Sequence, residues 1–209
     1  MRIDSLKTTP DRAGRYWLTF SDGTSLALYR QTVEDFALYA GKELDMEELE
    51  SLKNAAGQMS AKMRAVRIVS ASSVSKRDLE ERLVRKGEDP DQAREAVQWM
   101  ADLHLVDDRN TAEAVVHSCI SKGYGLQRAK QALYEKRIPK EYWEDALADY
   151  PDQLDRIVAF LRSRLDETSD QKEVKRAVDA LLRKGHSYRT IREGLNMITV
   201  DSEEFTEDF

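Results

Sequence analysis

The feature that most constrains this chain is a phrase it writes three times. Residues 83–97 read LVRKGEDPDQAREAV, residues 133–147 read LYEKRIPKEYWEDAL and residues 181–195 read LLRKGHSYRTIREGL. Each copy runs from a leucine through two residues to a lysine, breaks briefly, and resumes at helical spacing. Leu83, Leu133 and Leu181 lie 50 and then 48 residues apart, with Lys86, Lys136 and Lys184 in register behind them. Self-similarity at a period of this size marks a tandem array, in which each unit is too small to bury a core alone and stacks on its neighbours.

The helices of each unit follow from caps and apolar spacing. Asp45 caps the first, with Glu48 three residues on as its box partner. Leu49, Leu52, Ala56, Met59, Met63 and Val66 continue as its stripe. Ser75 caps a second helix with Leu79 and Leu83 inward, and Lys86-Gly87 closes it, the glycine supplying a left-handed residue. Asp89 caps a third with Pro90 at its first position, and Ala93, Ala96, Val97, Met100 and Ala101 form the buried stripe. The plan returns as NTAEAVVHSCI, LQRAKQALYEK and KEYWEDALADY, and again as LDRIVAFLRSRL, KEVKRAVDALLRK and YRTIREGLNMI.

Ahead of the array the pattern changes. RYWLTF (Arg15–Phe20) and SLALY (Ser25–Tyr29) are strand-like, joined by an Asp22-Gly23 turn, and Ile3 and Leu6 supply a third strand. Val33, Phe36 and Ala37 form one short apolar helical face. The expected fold is mainly α: tandem three-helix repeats forming a curved elongated rod, with a small N-terminal β-hairpin or sheet. Its parts are strands and a short helix (1–45), repeats at 46–104, 105–150 and 151–197, and an acidic disordered tail (198–209) whose nine last residues hold five acids and no base.

Composition narrows the function classes. The net charge is −6, and without the tail the chain is nearly neutral, so charge alone neither demands nor excludes nucleic acid. No apolar run approaches the roughly 18 residues of a membrane span, and the N-terminus lacks the apolar segment of a signal peptide. A cytoplasmic protein without a membrane partner is expected. Cys119 is the one cysteine, so no intrachain disulfide forms; it reads as a small buried side chain, with His117 on another helix face. His104, His117 and His186 are scattered without paired-ligand spacing, no Walker-type loop occurs, and SKGYG joins two helices. No enzyme, metal or cofactor is expected.

The better candidates are basic. Arg85-Lys86, Lys136-Arg137 and Arg183-Lys184 end the three second helices, and Arg128, Lys130, Lys175 and Arg176 extend them. One reading is structural, since cations at helix C-termini complement the macrodipole by about 0.3–1 kcal/mol each. The other is a row of contacts for an acidic groove or DNA phosphates. Tyr124 and Tyr188, at helix starts, are candidate contacts, whereas Trp17, Trp99 and Trp143 fall on apolar stripes and read as core.

Taken with LYAGKELDMEELESL after the strands, the Asp107-Asp108 pair and the Gly-Tyr-Gly turn at 123–125, these residues make the chain resemble the RecX family over residues 1–196. The third copy departs most, with His186 and Ser187 where the family carries an apolar residue and a turn former. The resemblance implies a non-enzymatic modulator of the RecA recombinase, and a monomer is the expected state. Such a protein lies along the groove of the RecA–single-stranded DNA filament and limits its growth, ATPase, strand exchange and LexA co-protease activity, damping the SOS response in DNA repair. Weak, salt-sensitive DNA contact without sequence preference is a second expected activity. Two alternatives stay open: a helix-turn-helix-like DNA-binding protein, disfavoured by acid-rich third helices, and a generic helical-repeat adaptor.

Overall fold

In the computed structural model, residues 1–166 and 169–198 are described; of the expected tail, 199–209 lie outside them, and Ile198 is buried with Ile157 and Leu161 instead of belonging to a disordered segment. Among the described residues the chain forms β1 (Ile3–Leu6), β2 (Arg15–Phe20) and β3 (Ser25–Tyr29). Ten helices follow: α1 (Arg30–Asp35), α2 (Met46–Ala71), α3 (Lys76–Arg85), α4 (Pro90–Asp102), α5 (Asp108–Ser121), α6 (Leu126–Glu135), α7 (Trp143–Leu147), α8 (Leu154–Arg162), α9 (Gln171–Arg183) and α10 (Tyr188–Met197). The fold is mainly helical with a small N-terminal sheet, as the periodicity requires. The helices and sheet gather into two compact units, Met1–Asp107 and Asp108–Phe209.

In the first unit the strands pair antiparallel in the order β1-β2-β3, and β2 pairs with β3 from Arg15↔Tyr29 to Thr19↔Ser25. Gly23 turns the hairpin at φ +85°, a conformation glycine adopts without steric cost. A three-stranded sheet needs a covering face. The first half of α2 supplies it: Leu49, Leu52 and Ala56 pack with Ile3, Leu18, Phe20 and Leu28. The expected capping box starts this helix, Asp45 accepting from the Glu48 amide at 2.8 Å and Glu48 from the Asp45 amide at 3.1 Å.

Past Ala56 the buried stripe of α2 differs from the expected one. Ala61 and Ala65 are fully buried, whereas Met59, Met63 and Val66 are half-buried. The second half of α2 faces α4, with Ala61 and Ala65 in one core with Ala93, Ala96, Val97 and Met100, and small side chains let the two backbones approach. Ala37 also departs from its expected place. The helix stops at Asp35, Ala37 turns left-handed at φ +44° and is exposed, and Leu38 is buried instead. Trp17, Trp99 and Trp143 are half-buried: Trp99 and Trp143 pack against the edges of their cores, and Arg15 and Lys62 cover the faces of Trp17 and Trp99 at 5.7 and 5.6 Å.

In the second unit, α5, α6 and α7 enclose Ala112, Val116, Leu133 and Ile138, while α8, α9 and α10 enclose Ile157, Leu161, Val174, Leu181 and Ile191. The helix expected over KEYWEDALADY is reduced. Lys140–Tyr142 form a 3₁₀ turn and α7 adds five residues, because Pro139 offers no side-chain cap where Asp89 and Ser187 cap the corresponding helices. Cys119 is buried, and burial pushes its thiol pKa up, as expected of a small core side chain.

Candidate functional site

The thrice-written phrase folds into the same backbone motif each time. Lys86, Lys136 and Lys184 are the C-cap residues of α3, α6 and α9. The amides of Glu88, Ile138 and His186 reach back to the carbonyls of Leu83, Leu133 and Leu181 at 3.1, 3.1 and 3.2 Å. Those of Gly87, Arg137 and Gly185 reach Val84, Tyr134 and Leu182 at 2.9, 2.9 and 2.8 Å. This is the Schellman closure, in which a left-handed residue lets two late carbonyls find donors. The leucine supplies one carbonyl and a buried side chain, which is why the phrase starts there.

The three lysines are equivalent, but the arginines beside them are not. Arg85 and Arg183 are last helical residues, and Glu135 holds that place in the second copy. Arg137 instead takes the left-handed position, φ +58°, where the other copies have Gly87 and Gly185 at +89° and +84°. Its guanidinium lies 6.0 Å from the ring of Tyr134.

The third-copy end is built into a joint. The Lys184 carbonyl accepts the Gly125 amide at 2.9 Å, and the Gly185 carbonyl accepts the Gln127 amide at 3.3 Å. The C-terminus of α9 thus caps the N-terminus of α6, whose N-cap Gly125 has no side chain to do so. The two helix dipoles meet with opposite partial charges. Space is tight: a Cβ on Gly125 would stand 2.1 Å from the Gly185 carbonyl oxygen, and one on Gly185 would stand 2.4 Å from the Arg128 amide nitrogen. His186, 7% exposed, places Nε2 3.1 Å from the Gly123 carbonyl oxygen, and burial pulls its pKa below the ordinary imidazole value. The Tyr150 hydroxyl donates to the Tyr124 carbonyl at 2.6 Å, and burial pushes that hydroxyl up to about 12.

Several candidates therefore converge on this joint. Arg128 is half-buried and paired with Glu135 at 3.1 Å, and Lys184 lies 4.9 Å from the Phe160 ring. Tyr124 is half-buried at the turn. Lys130, Lys175, Arg176 and Arg183 are exposed along α6 and α9, as is Tyr188, 45% exposed.

The first-copy end is different. Gly87 faces open space. The Lys86 carbonyl accepts from the Arg64 Nη1 at 2.7 Å, and Arg64 Nε pairs with the buried Glu88 at 2.7 Å. Lys86 and Arg85 separate: Lys86 lines a 410 Å³ hollow with Arg64, Arg67 and Arg82, whereas Arg85 lines a 450 Å³ hollow with Arg77, Glu80 and Glu81. Arg64, Arg67 and Arg82 were not singled out by the sequence pattern. The legible sign was Arg82, one turn before Lys86; the two α2 arginines carry no mark of their own.

Among the described residues, no group of three or more histidines, cysteines or acids is placed to hold a metal ion, and no helix is long and apolar enough to cross a membrane.

Fold and site together define a tandem three-helix-repeat protein with a cationic cap on each second helix. A family model described as RecX, second three-helix domain, matches residues 107–147, the segment holding α5 to α7. The Regulatory protein RecX of Vibrio parahaemolyticus is 26% identical over 147 residues, 69% of this chain and 95% of that protein. That of Clostridioides difficile is 25% identical over 203 residues, 94% of each chain. The chain is thus similar to the RecX regulatory proteins along most of its length. A crystal structure of regulatory protein RecX shares the fold at a TM-score of 0.62 and 19% identity, covering 92% of this chain and 98% of that one. RecX from Lactobacillus salivarius shares it at 0.60 and 24% identity, covering 69% and 97%.

Proposed function

We propose that this chain is a non-enzymatic regulator of the RecA recombinase, acting mainly as a negative one in the cytoplasm. In this reading its three triplets, at 46–104, 105–150 and 151–197, lie along the groove of the RecA–single-stranded DNA filament. They limit filament growth, ATP hydrolysis, strand exchange and LexA co-protease activity, and so damp the SOS response. The observation that carries the reading is the repeated cationic cap, Lys86, Lys136 and Lys184, written into a chain similar to the RecX regulatory proteins. A filament presents equivalent surfaces at regular intervals, and a repeated chain meets it with equivalent side chains. Arg85, Arg128, Lys130, Arg137, Lys175, Arg176, Arg183 and Tyr124 are the further proposed contacts. Many modest contacts then sum to affinity, and no deep pocket is needed.

The test is ATP hydrolysis by RecA on single-stranded DNA with increasing amounts of this protein. The reading predicts inhibition at sub-stoichiometric ratios and a shortened filament lifetime. Hydrolysis and lifetime unchanged at saturation would overturn it.

A further inference from the structure

In the hollow beside Lys86, four cationic side chains surround a concavity. Arg64 and Arg67 come from α2, Arg82 and Lys86 from the end of α3, and Ile68 and Ala71 give it an apolar floor. Three of the four are held from behind. Arg64 is fixed by Glu88 and the Lys86 carbonyl, Arg82 by Asp78 at 2.9 Å, and Arg67 by the Ala13 carbonyl at 2.6 Å and the Tyr29 hydroxyl at 3.2 Å. A guanidinium has five N–H donors, so each keeps donors beyond these bonds.

Charge decides what such a hollow accepts. Glu88 and Asp78 neutralise two of the four cations, and no carboxylate among the described residues pairs with Arg67 or Lys86. The C-terminal ends of α2 and α3 contribute about half a negative charge each. About one positive charge remains, which matches a single phosphodiester. The donors come from two helices and surround their ligand, a geometry suited to a tetrahedral anion more than to a planar carboxylate. At 410 Å³ the hollow exceeds a bare phosphate and leaves room for a sugar against Ile68 and Ala71.

We infer that this hollow is a binding site for a backbone phosphate of single-stranded DNA, held by Lys86 and Arg67 with Arg64 and Arg82 behind them. Binding of bare oligonucleotide needs no recombinase, so the inference stands or falls separately from the RecA reading.

The test is fluorescence anisotropy of the full chain with a labelled single-stranded oligonucleotide across a salt series. Lys86→Gln is the main variant, because the structural bonds at that position are made by its backbone. It is expected to weaken binding about fivefold at 0.1 M salt and to lower the slope of log K against log salt by about 0.7. Arg67→Gln, checked for folding by circular dichroism, is expected to do the same. Arg30→Gln, an equal charge change on α1 away from the hollow, is expected to leave both unchanged. Equal losses in Arg30→Gln and Lys86→Gln would reduce the effect to net charge and overturn the site. An Asp/Glu-rich peptide that binds as tightly as DNA and loses affinity equally in Lys86→Gln would replace phosphate by acidic polypeptide, and overturn it too. A free nucleotide that saturates the hollow at the oligonucleotide's own affinity would overturn the assignment to a DNA backbone. RecA inhibition undiminished in Lys86→Gln, with oligonucleotide binding weakened, keeps the phosphate site and removes Lys86 from the filament contacts; oligonucleotide binding without RecA inhibition by the parent removes only the RecA reading.

Discussion

The ends of α3 and α9 carry the same lysine, the same left-handed glycine and the same pair of backbone hydrogen bonds, yet they are used in opposite ways. At α9 the Lys184 and Gly185 carbonyls are taken by the amides of Gly125 and Gln127, and Gly185 touches the Arg128 backbone. At α3 the Lys86 carbonyl is taken by the Arg64 side chain, and Gly87 faces open space. One end is a joint between helices; the other borders a cationic hollow. Local sequence dictates the motif, and what packs against it dictates the role.

Breaking the two ends should therefore have unequal consequences. Gly185→Ala combines left-handed strain with a Cβ 2.4 Å from the Arg128 amide nitrogen, a backbone atom that cannot swing away. It should cost about 3 kcal/mol or more, and Gly125→Ala a similar amount. Gly87→Ala meets nothing and should cost only the conformational term, about 1 kcal/mol. Urea denaturation of the three variants reads the difference; equal losses at positions 87 and 185 would erase the distinction.

The position after the left-handed residue sharpens the comparison. It is buried in every copy, as Glu88 (8% exposed), Ile138 (4%) and His186 (7%). Arg64→Ala strands the Glu88 carboxylate with only the Ser60 hydroxyl at 3.0 Å, a loss of about 2 kcal/mol. Glu88→Ile copies the second repeat and should leave stability within about 1 kcal/mol of the parent, since a well-packed apolar residue replaces a buried ion pair at little cost. The same denaturation experiment checks both.

The smallest expected effect is one of pH at the α9 end. Burial keeps the His186 imidazole neutral, so the unfolded chain binds its proton at higher pH than the folded one. Between the two values the unfolded state holds more protons, and stability falls as pH drops through that window. Melting temperatures from neutral to mildly acidic pH should show this slope in the parent and a shallower one in His186→Ile. An unchanged slope would place the titration elsewhere.

Much of this was legible in the residues. Asp45 with Glu48, Ser75, and Asp89 with Pro90 mark helix starts, because caps act within one turn and need no tertiary partner. The Leu-x-x-Lys phrase marks helix ends for the same reason. What the pattern does not reveal depends on packing between distant segments. Nothing local distinguishes Gly87 from Gly185, since the difference lies in Arg128, some sixty residues upstream of Gly185. Arg64 and Arg67 join Lys86 only because α2 lies against α3. The burial of Ala61 and Ala65 ahead of Met59 and Met63 follows from the close approach of α4. Likewise Arg137 reads as part of a basic pair, until the left-handed turn sets it apart from Arg85 and Arg183.

The most direct measurement is hydrogen exchange on the full chain, alone and with the RecA–single-stranded DNA filament. The Gly125 and Gln127 amides should be protected in the free protein, where they cap α9. On filament binding, new protection should be larger at residues 82–88 than at 183–187, where the joint already occupies the Lys184 and Gly185 carbonyls. New protection confined to 183–187, with none at 82–88, would contradict the division of one motif into a joint and a contact surface.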